Sequence, residues 1–223
     1  MIYILVGLGY LIDLLFIIHD NSKHDGLSVV LKTLASACFV TLAIIMSMRS
    51  VNSELAWLII YALIADLLGD FVLILRNITD KKHDLIFLSG TACFIVGHIF
   101  LMIMLYRNNP NVVVKSFIYT TVTSLIFVPL SIKKLKASKA FKLIGCLYIF
   151  FIIYIQVYGI CSIIDIETSF DIAFLFGYFL FAVSDIILII QKFGNNPSST
   201  LQPIYRLSYF ISQVIIALSV AYL

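Results

Sequence analysis

The sequence predicts an all-α membrane protein, a single bundle of eight transmembrane helices. Of its 223 residues, 62% are hydrophobic and 12% are charged, whereas soluble domains are roughly 45–50% apolar and about 25% charged. The mean hydropathy is +1.09, and no stretch alternates with the period of two that a membrane β-barrel requires. Eight crossings of roughly 20 residues use about 160 residues. We therefore expect one domain over residues 1–223, with any chemistry among the helices.

Eight apolar stretches follow one another along the chain in a hydropathy window of about 19 residues. In order, the predicted spans are Met1–Ile18, Leu27–Met48, Leu55–Leu75, Leu85–Tyr106, Val112–Ile132, Phe141–Ile164, Phe170–Ile190 and Ile204–Leu223. The first has no basic segment before it and no small-residue cleavage site, so we expect a retained helix rather than a signal peptide. Polar, Asn-rich or Pro-containing breaks at 19–25, 77–82, 108–111 and 194–197 separate spans 1 and 2, 3 and 4, 4 and 5, and 7 and 8. The weakest break, between spans 2 and 3, covers residues 49–54.

Lys and Arg residues are distributed unequally between the connections. The odd-numbered connections, including the first residues of spans 6 and 8, carry eleven of them, and the even-numbered ones carry Arg49 and Arg107. Lys115, at the start of span 5, would raise the smaller count to three. Cytoplasmic connections carry the excess of Lys and Arg, so we expect the odd connections in the cytoplasm and both termini on the non-cytoplasmic side. Short connections favour a bacterial inner membrane.

Ionisable residues inside the spans are the candidates for function, because each costs about 2.5–3.5 kcal/mol to insert. With the polar residues of the same depth, the set is Asp13, Lys32, Asp66, Asp70, His98, Ser184, Asp185, Tyr209 and Gln213. The orientation places all of them in the cytoplasmic half, five of them about 8 Å below the boundary at 1.5 Å per residue. This one-sided clustering predicts a polar cavity that opens toward the cytoplasmic leaflet.

Several of these residues also have a structural interpretation. Lys32 could extend to the interface or pair with Asp13, and a lone membrane histidine such as His98 is more often a packing residue. Asp66 and Asp70 are four residues apart and share a helix face. Two carboxylates that close in low dielectric would not both ionise, so we expect one to hold a proton at neutral pH.

The familiar motifs of other function classes are absent from the sequence. There is no G-x-S-x-G, G-x-x-x-x-G-K, H-E-x-x-H or dinucleotide-type glycine fingerprint. The four cysteines lie in apolar runs without metal-ligand spacing, and only one of four histidines lies well inside a span. A net charge of +3 gives little support to nucleic-acid binding. We expect no metal or other cofactor, and the remaining carboxylates, hydroxyls, His and Lys suit proton transfer.

Four segments in register carry a resemblance to a known family. They are residues 67–73 with Gly69-Asp70, residues 90–98 ending in Gly97-His98, residues 178–188 with Ser184-Asp185 and a later Phe193, and residues 209–213 from Tyr209 to Gln213. Here the sequence resembles the YhhN family of eight-span membrane proteins, whose characterised animal members are lysoplasmalogenases. The chain departs from the family pattern at two positions. Thr33 follows Lys32 where the family often has Pro, and Asp66 stands where a small or hydroxyl residue is expected.

The resemblance implies hydrolysis of the vinyl ether bond of a lysoplasmalogen, a lysophospholipid drawn from the bilayer. The products are a fatty aldehyde and glycerophosphocholine or glycerophosphoethanolamine. Asp70 and Asp185 are expected to divide the roles of general acid and base, with His98 orienting water or a carboxylate. Lys32, or Lys81 in a connection, would meet the phosphate. The other expected substrate-binding residues are Ser184, Tyr209, Gln213 and Asp66.

Two other function classes fit the same polar residues. Intramembrane Asp, His and Lys also build proton-coupled transporters and lipid-binding proteins, but transporters commonly show internal repeats and helices broken at mid-membrane. The prolines here lie at or near span ends, and no convincing repeat is present. The remaining alternative is a hydrolase of another lipid ether or ester.

Overall fold

The computed structural model describes residues 2–22, 25–76, 78–79, 83–133, 138–193 and 200–223. For residues 21, 22, 83, 131–133, 139 and 140 it describes the backbone alone. Its helices are α1 (Ile2–Ser22), α2 (Gly26–Ser47), α3 (Ser53–Leu75), α4 (His83–Asn108), α5 (Val113–Lys133), α6 (Lys139–Asp165), α7 (Ser169–Phe193) and α8 (Leu201–Ser219). Short 3-10 turns cover Pro110–Val112 and Val220–Tyr222. All eight helices are long and apolar enough to cross a membrane. The predicted all-helical, eight-span architecture is confirmed, and the side on which the termini lie stays a prediction.

Most helices run a few residues beyond the predicted spans, because their polar ends continue the backbone hydrogen bonding where hydropathy has already fallen. Asp25 caps α2 by accepting from the backbone N–H of Leu27 at 3.0 Å and of Ser28 at 3.3 Å. Its Oδ1 also lies 2.9 Å from Nε2 of His19, and this hydrogen bond lowers the pKa of Asp25. The side chain of Asn52 caps α3 in the same way.

Seven of the eight helices pack around a common centre. Neighbours in sequence pair as α1–α2, α2–α3, α3–α4, α6–α7 and α7–α8, and α4 packs on α6. Helix α8 also contacts α1, α2 and α3, so it closes the bundle. The most extensive packing is within the α3–α4 and α7–α8 pairs, whereas α5 packs mainly on α6.

Small residues bring α3 and α4 close together. A Cβ atom added to Gly97 would lie 2.7 Å from Oδ1 of Asp66 and 3.1 Å from the carbonyl oxygen of Ala62. At Gly90, an added Cβ would lie 2.6 Å from Cδ2 of Leu73. Membrane helices associate largely through such close packing, because lipid provides no hydrophobic drive between them.

The end of the bundle that carries the even-numbered connections is closed by hydrogen bonds. Asn109, in the α4–α5 connection, donates through Nδ2 to Ser162 and Asp165, both at 3.2 Å. The hydroxyl of Tyr158 donates to the carbonyl oxygen of Asn109 at 2.6 Å. Lys115 lies 3.7 Å from Asp165. These contacts join α4, α5 and α6 at the end opposite to the cavity described next.

Candidate active site

A cavity of about 360 Å³ lies at the end of the bundle that carries the odd-numbered connections. Every helix except α5 contributes lining residues, and Asp70 and Asp185 both face it. On α8 the lining residues are Gln202, Tyr205, Arg206 and Tyr209, at positions i, i+3, i+4 and i+7, so one helical face forms the wall. The sequence predicted a cavity at this end, and the structure contains one.

Asp70 is buried on α3 beside a cation. Its Oδ2 accepts a hydrogen bond from Oγ of Ser36 at 2.6 Å and lies 3.3 Å from Nζ of Lys32. The Lys32 ammonium also sits 4.4 Å from the ring centroid of Tyr209, within cation–π range. Lys32 therefore pairs with Asp70 rather than with Asp13, and its charge is directed at a carboxylate of the cavity.

Asp185 is buried on α7 among aromatic side chains. Its Oδ2 accepts a short hydrogen bond from the hydroxyl of Tyr148 on α6. No Lys, Arg or His forms an ion pair with Asp185 within the described part of the chain. The two carboxyl groups of the cavity thus have contrasting partners: an ammonium and a hydroxyl for Asp70, and a phenol for Asp185.

Tyr148 is a site residue that sequence reasoning did not single out. It lines the cavity with Phe141 and Gly145, which precede it on α6 at helical spacing. This recurrence at i, i+4 and i+7 is a signal present in the sequence. The sequence contains twelve tyrosines, however, and apolar helices carry the same spacing on every buried face. The spacing becomes informative only when the orientation of α6 is known.

Asp66 and Gln213 lie outside the cavity lining, although both were expected in the substrate site. Nε2 of Gln213 donates to Oδ2 of Asp66 at 2.8 Å, and both side chains are buried. This bond links α3 to α8 about one helical turn deeper than Asp70. The two carboxyl groups of α3 therefore have separate partners, Gln213 for Asp66 and Lys32 with Ser36 for Asp70.

His98 also lies behind the cavity wall rather than in it. Its ring stacks on that of Tyr148, with centroids 5.1 Å apart and planes at 20°. The rings of Tyr178 and Phe181 contact it edge-on at 5.8 and 5.4 Å. Neither ring nitrogen has a hydrogen-bond partner among the residues described. His98 is linked to Asp185 through Tyr148, whose ring it stacks on and whose hydroxyl donates to that carboxyl group. Its expected catalytic role stays a prediction.

The remaining expected residues are distributed between wall and core. Ser184 borders the cavity, but its hydroxyl donates to the carbonyl oxygen of Tyr205 at 2.9 Å and so ties α7 to α8. Tyr209 lines the cavity under Lys32. Asp13 is fully buried, and neither of its carboxyl oxygens has a hydrogen-bond partner in the described ranges. Lys81 lies outside the described residues.

The outer part of the cavity combines cations with aromatic rings. Phe87, Phe141 and Phe193, from three different helices, contact one another with centroids 5.6 Å apart in each pair. The basic side chains that line this part are Arg76, Lys142, Lys192 and Arg206. Sequence reasoning counted these four as charges of the connections, because Arg76 and Lys192 follow predicted spans and Lys142 and Arg206 are among the first residues of theirs. The structure places them in the cavity wall.

Metal binding has no obvious site in this arrangement. Among the residues the structure describes, no group of three or more His, Cys, Asp or Glu side chains could hold a metal ion. The ionisable groups of the described chain that line the cavity are two carboxyl groups, three phenols, three lysine ammonium groups and two guanidinium groups.

Comparison with known proteins identifies a family. The model described as the YhhN family matches residues 27–220, which include both carboxyl groups of the cavity and the cations around them. No curated protein and no solved structure matches the chain.

Proposed function

Because the chain belongs to the YhhN family, we propose that it is a membrane-embedded hydrolase that cleaves the vinyl ether bond of lysoplasmalogens. The products are a fatty aldehyde and glycerophosphocholine or glycerophosphoethanolamine. The observation that carries the proposal is that Asp70 and Asp185 face one cavity with contrasting partners. Acid hydrolysis of a vinyl ether needs one carboxyl group that gives a proton and one that stabilises positive charge.

We assign the acid to Asp185. No cation contacts it within the described chain, and its aromatic surroundings favour the neutral form of a carboxyl group. Tyr148 donates to Oδ2, which leaves Oδ1 to carry the transferable hydrogen. In the slow step this proton forms a C–H bond at the alkene β-carbon, and the C=C electrons are drawn to it. The positive charge is then shared between the α-carbon and the ether oxygen.

Asp70 is the ionised partner in this mechanism, because the Lys32 ammonium and the Ser36 hydroxyl both stabilise a negative oxygen. Its charge stabilises the oxocarbenium ion, and it accepts a proton as water attacks the α-carbon to give a hemiacetal. Asp185 then takes the hemiacetal hydroxyl proton while Asp70 protonates the leaving glycerol oxygen. The C–O bond breaks, the aldehyde forms, and both carboxyl groups return to their starting states.

The position of the cavity suits a single-chain lipid. Its outer wall combines the three contacting phenylalanine rings with basic side chains. The alkenyl tail can lie along apolar surface while the head group stays at the charged rim. With the odd connections in the cytoplasm, the lipid would enter from the cytoplasmic leaflet, in a bacterial inner membrane by our proposal.

The proposal is tested by aldehyde release from purified protein supplied with lysoplasmenylcholine or lysoplasmenylethanolamine. The informative variants are Asp70→Asn and Asp185→Asn, which keep the side-chain shape and remove the proton-transferring group. We expect each to lower turnover by about 10²–10⁴-fold, the usual range for general acid–base groups.

Asp165→Asn is the matched control, because Asp165 lies at the opposite end of the bundle. It should keep near-parental turnover. Near-parental turnover of a folded Asp70→Asn or Asp185→Asn variant would contradict the carboxylate mechanism. Accumulation of lipid or another ligand in vesicles, without aldehyde, would instead favour a transporter.

A further inference from the structure

The lining of the cavity carries more positive than negative charge. Among the described residues, five basic side chains line it, namely Lys32, Arg76, Lys142, Lys192 and Arg206. The acidic side chains there are Asp70 and Asp185. Lys32 is paired with Asp70, and Arg206 is paired with Asp20, which does not line the cavity. The excess of positive charge therefore comes from Arg76, Lys142 and Lys192 in the outer part of the cavity. Cations held near a low-dielectric bilayer favour an anionic ligand.

Arg206 is the most firmly held of these cations. One terminal nitrogen, Nη2, donates to Oδ2 of the buried Asp20 on α1, and the guanidinium carbon lies 5.0 Å from the ring centroid of Phe16. The other terminal nitrogen, Nη1, is buried and has no hydrogen-bond partner in the part of the chain the structure describes. The side chain is 11% exposed. A fixed guanidinium with an unused donor at a cavity wall is suited to bind a phosphate oxygen.

The cations lie at a definite separation from the carboxyl groups along the helices. Arg76 follows Asp70 by six residues on α3, and Lys192 follows Asp185 by seven on α7. At 1.5 Å per residue these separations are about 9 and 10 Å along the helix axes. In a lysoplasmalogen, seven bonds join the alkene β-carbon to the phosphorus. At roughly 1.2 Å per bond in an extended chain, they span about 8 Å.

We propose that Arg206, with Arg76, Lys142 and Lys192, forms a subsite for the phosphate diester of the substrate's head group. This inference rests on the proposed function and adds the part of the substrate that the outer cavity recognises. Arg206 binds one phosphate oxygen through Nη1 while Asp20 fixes its plane. The other three cations, at the rim, contribute charge. Lys32 forms its ion pair with Asp70 and does not contact the phosphate.

The test compares two substrates that share the vinyl ether and differ in the phosphate: a 1-alkenyl-glycero-3-phosphocholine and the corresponding 1-alkenylglycerol. The variant is Asp20→Asn combined with Arg206→Gln, which removes the ion pair as a unit and leaves no carboxylate facing a missing cation. We expect kcat/KM for the phosphate-bearing substrate to fall roughly 10–100-fold, mainly through KM, as for loss of a charged hydrogen bond. Hydrolysis of the alkenylglycerol should change less than about threefold.

Two further variants complete the kinetic test. Lys142→Gln changes a partly exposed cation of the rim and does not disturb a buried pair, so it tests the subsite even if the double variant fails to fold. We expect it to lower kcat/KM for the phosphate-bearing substrate selectively, by less than the double variant does. Arg107→Gln removes a cation at the opposite end, where Arg107 lies 3.5 Å from Glu54, and it should leave both substrates unaffected. Equal losses for both substrates, or none for either, would overturn the subsite.

Binding measured without hydrolysis separates the subsite from the proposed reaction. Calorimetry in detergent micelles would compare a 1-alkyl-glycero-3-phosphocholine, a 1-alkylglycerol and inorganic phosphate. We expect the phosphate-bearing lipid to bind at least tenfold more tightly than the alkylglycerol, and this preference to be lost in the double variant. Equal binding of the two lipids, or tight binding of inorganic phosphate without a lipid preference, would overturn the inference. Preferential lipid binding with no aldehyde from either substrate would contradict the hydrolase alone.

Discussion

Tyr148 joins the inner part of the cavity to the packed side chains behind its wall. Its hydroxyl donates to Asp185, its ring stacks on His98, and it borders the space that Asp70 also faces. The Tyr148 hydroxyl determines which oxygen of Asp185 accepts a hydrogen bond, and stacking on the His98 ring holds the plane of the Tyr148 ring. In the proposed mechanism, the direction in which Asp185 presents its proton therefore depends on a residue that does not itself titrate during the reaction.

Replacing Tyr148 by Phe should keep the ring stack and remove the hydrogen bond to Asp185. We expect turnover of lysoplasmalogen to fall roughly 10–100-fold, because Asp185 becomes negatively charged as it gives up its proton in the slow step, and a hydrogen bond to a charged group contributes about 1.5–3 kcal/mol. The measurement is kcat from aldehyde release at saturating substrate. Tyr154→Phe is the control, since Tyr154 lies six residues further along α6 and outside the cavity lining. If both variants kept parental kcat, Tyr148 would have no part in positioning Asp185.

The sequence predicted how deep each polar residue lies along its helix, but not toward which neighbour its side chain points. The distances of Asp70, Asp185 and Lys32 from their span ends placed them at one level, and the structure gathers all three at one cavity. His98 and Gln213 follow the same depth argument, yet they face packed side chains. Which way a membrane helix turns its polar residues depends on contacts with its neighbours, and no local pattern encodes those contacts.

At the scale of elements, the α3–α4 pair supports the wall that holds Asp70. Its close approach depends on glycine at positions where any side chain would meet the facing helix, as at Gly97 against Asp66 and Ala62. The sequence signal for this contact was Gly directly before a polar residue, in Gly69-Asp70 and Gly97-His98. A missing side chain at these positions allows a neighbouring helix to approach closely, whereas the partner atoms, Oδ1 of Asp66 and the Ala62 carbonyl oxygen, required coordinates.

Gly97→Ala should destabilise the protein although alanine is the better helix former by about 1 kcal/mol. The added methyl group would lie 2.7 Å from Oδ1 of Asp66 and 3.1 Å from the Ala62 carbonyl oxygen, so either the Asp66 carboxyl group must turn away from its bond with Gln213 or the two helices must separate. Such overpacking costs about 1–3 kcal/mol. Thermal unfolding in detergent measures the change. Gly7→Ala is the matched control, because a Cβ at Gly7 meets nothing within 4 Å and should leave stability equal or higher. Equal unfolding temperatures for the two variants would contradict the close α3–α4 contact.

At the scale of the whole molecule, the number of helices and their approximate positions followed from length and hydropathy, because a membrane helix satisfies its backbone hydrogen bonds internally. The unequal distribution of Lys and Arg predicts how the bundle lies in the membrane. Part of the same charge lines the cavity, in Arg76, Lys142, Lys192 and Arg206. Counting residues by connection could not separate charges that orient the protein from charges that face a ligand, since both lie at the same helix ends.

Topology mapping tests the predicted orientation. Single cysteines placed near the N-terminus and the C-terminus of a variant without the four native cysteines should react with a membrane-impermeant maleimide added outside intact cells. A cysteine in the connection between α5 and α6 should react only after the membrane is permeabilised. Labelling of the termini only after permeabilisation would reverse the orientation and place the cavity at the outer leaflet.

The two carboxyl groups belong to different helix pairs, Asp70 to α3–α4 and Asp185 to α7–α8. These two pairs are the most extensively packed in the bundle. They are linked by α2, which packs on α3 and α8, by α6, which packs on α4 and α7, and by a smaller direct contact of α3 with α8. Any tilt of one pair against the other changes the gap that the reacting alkene must fill. Since helix tilt responds to the thickness of the hydrocarbon layer, we expect the reaction rate to depend on the acyl-chain length of the surrounding lipids.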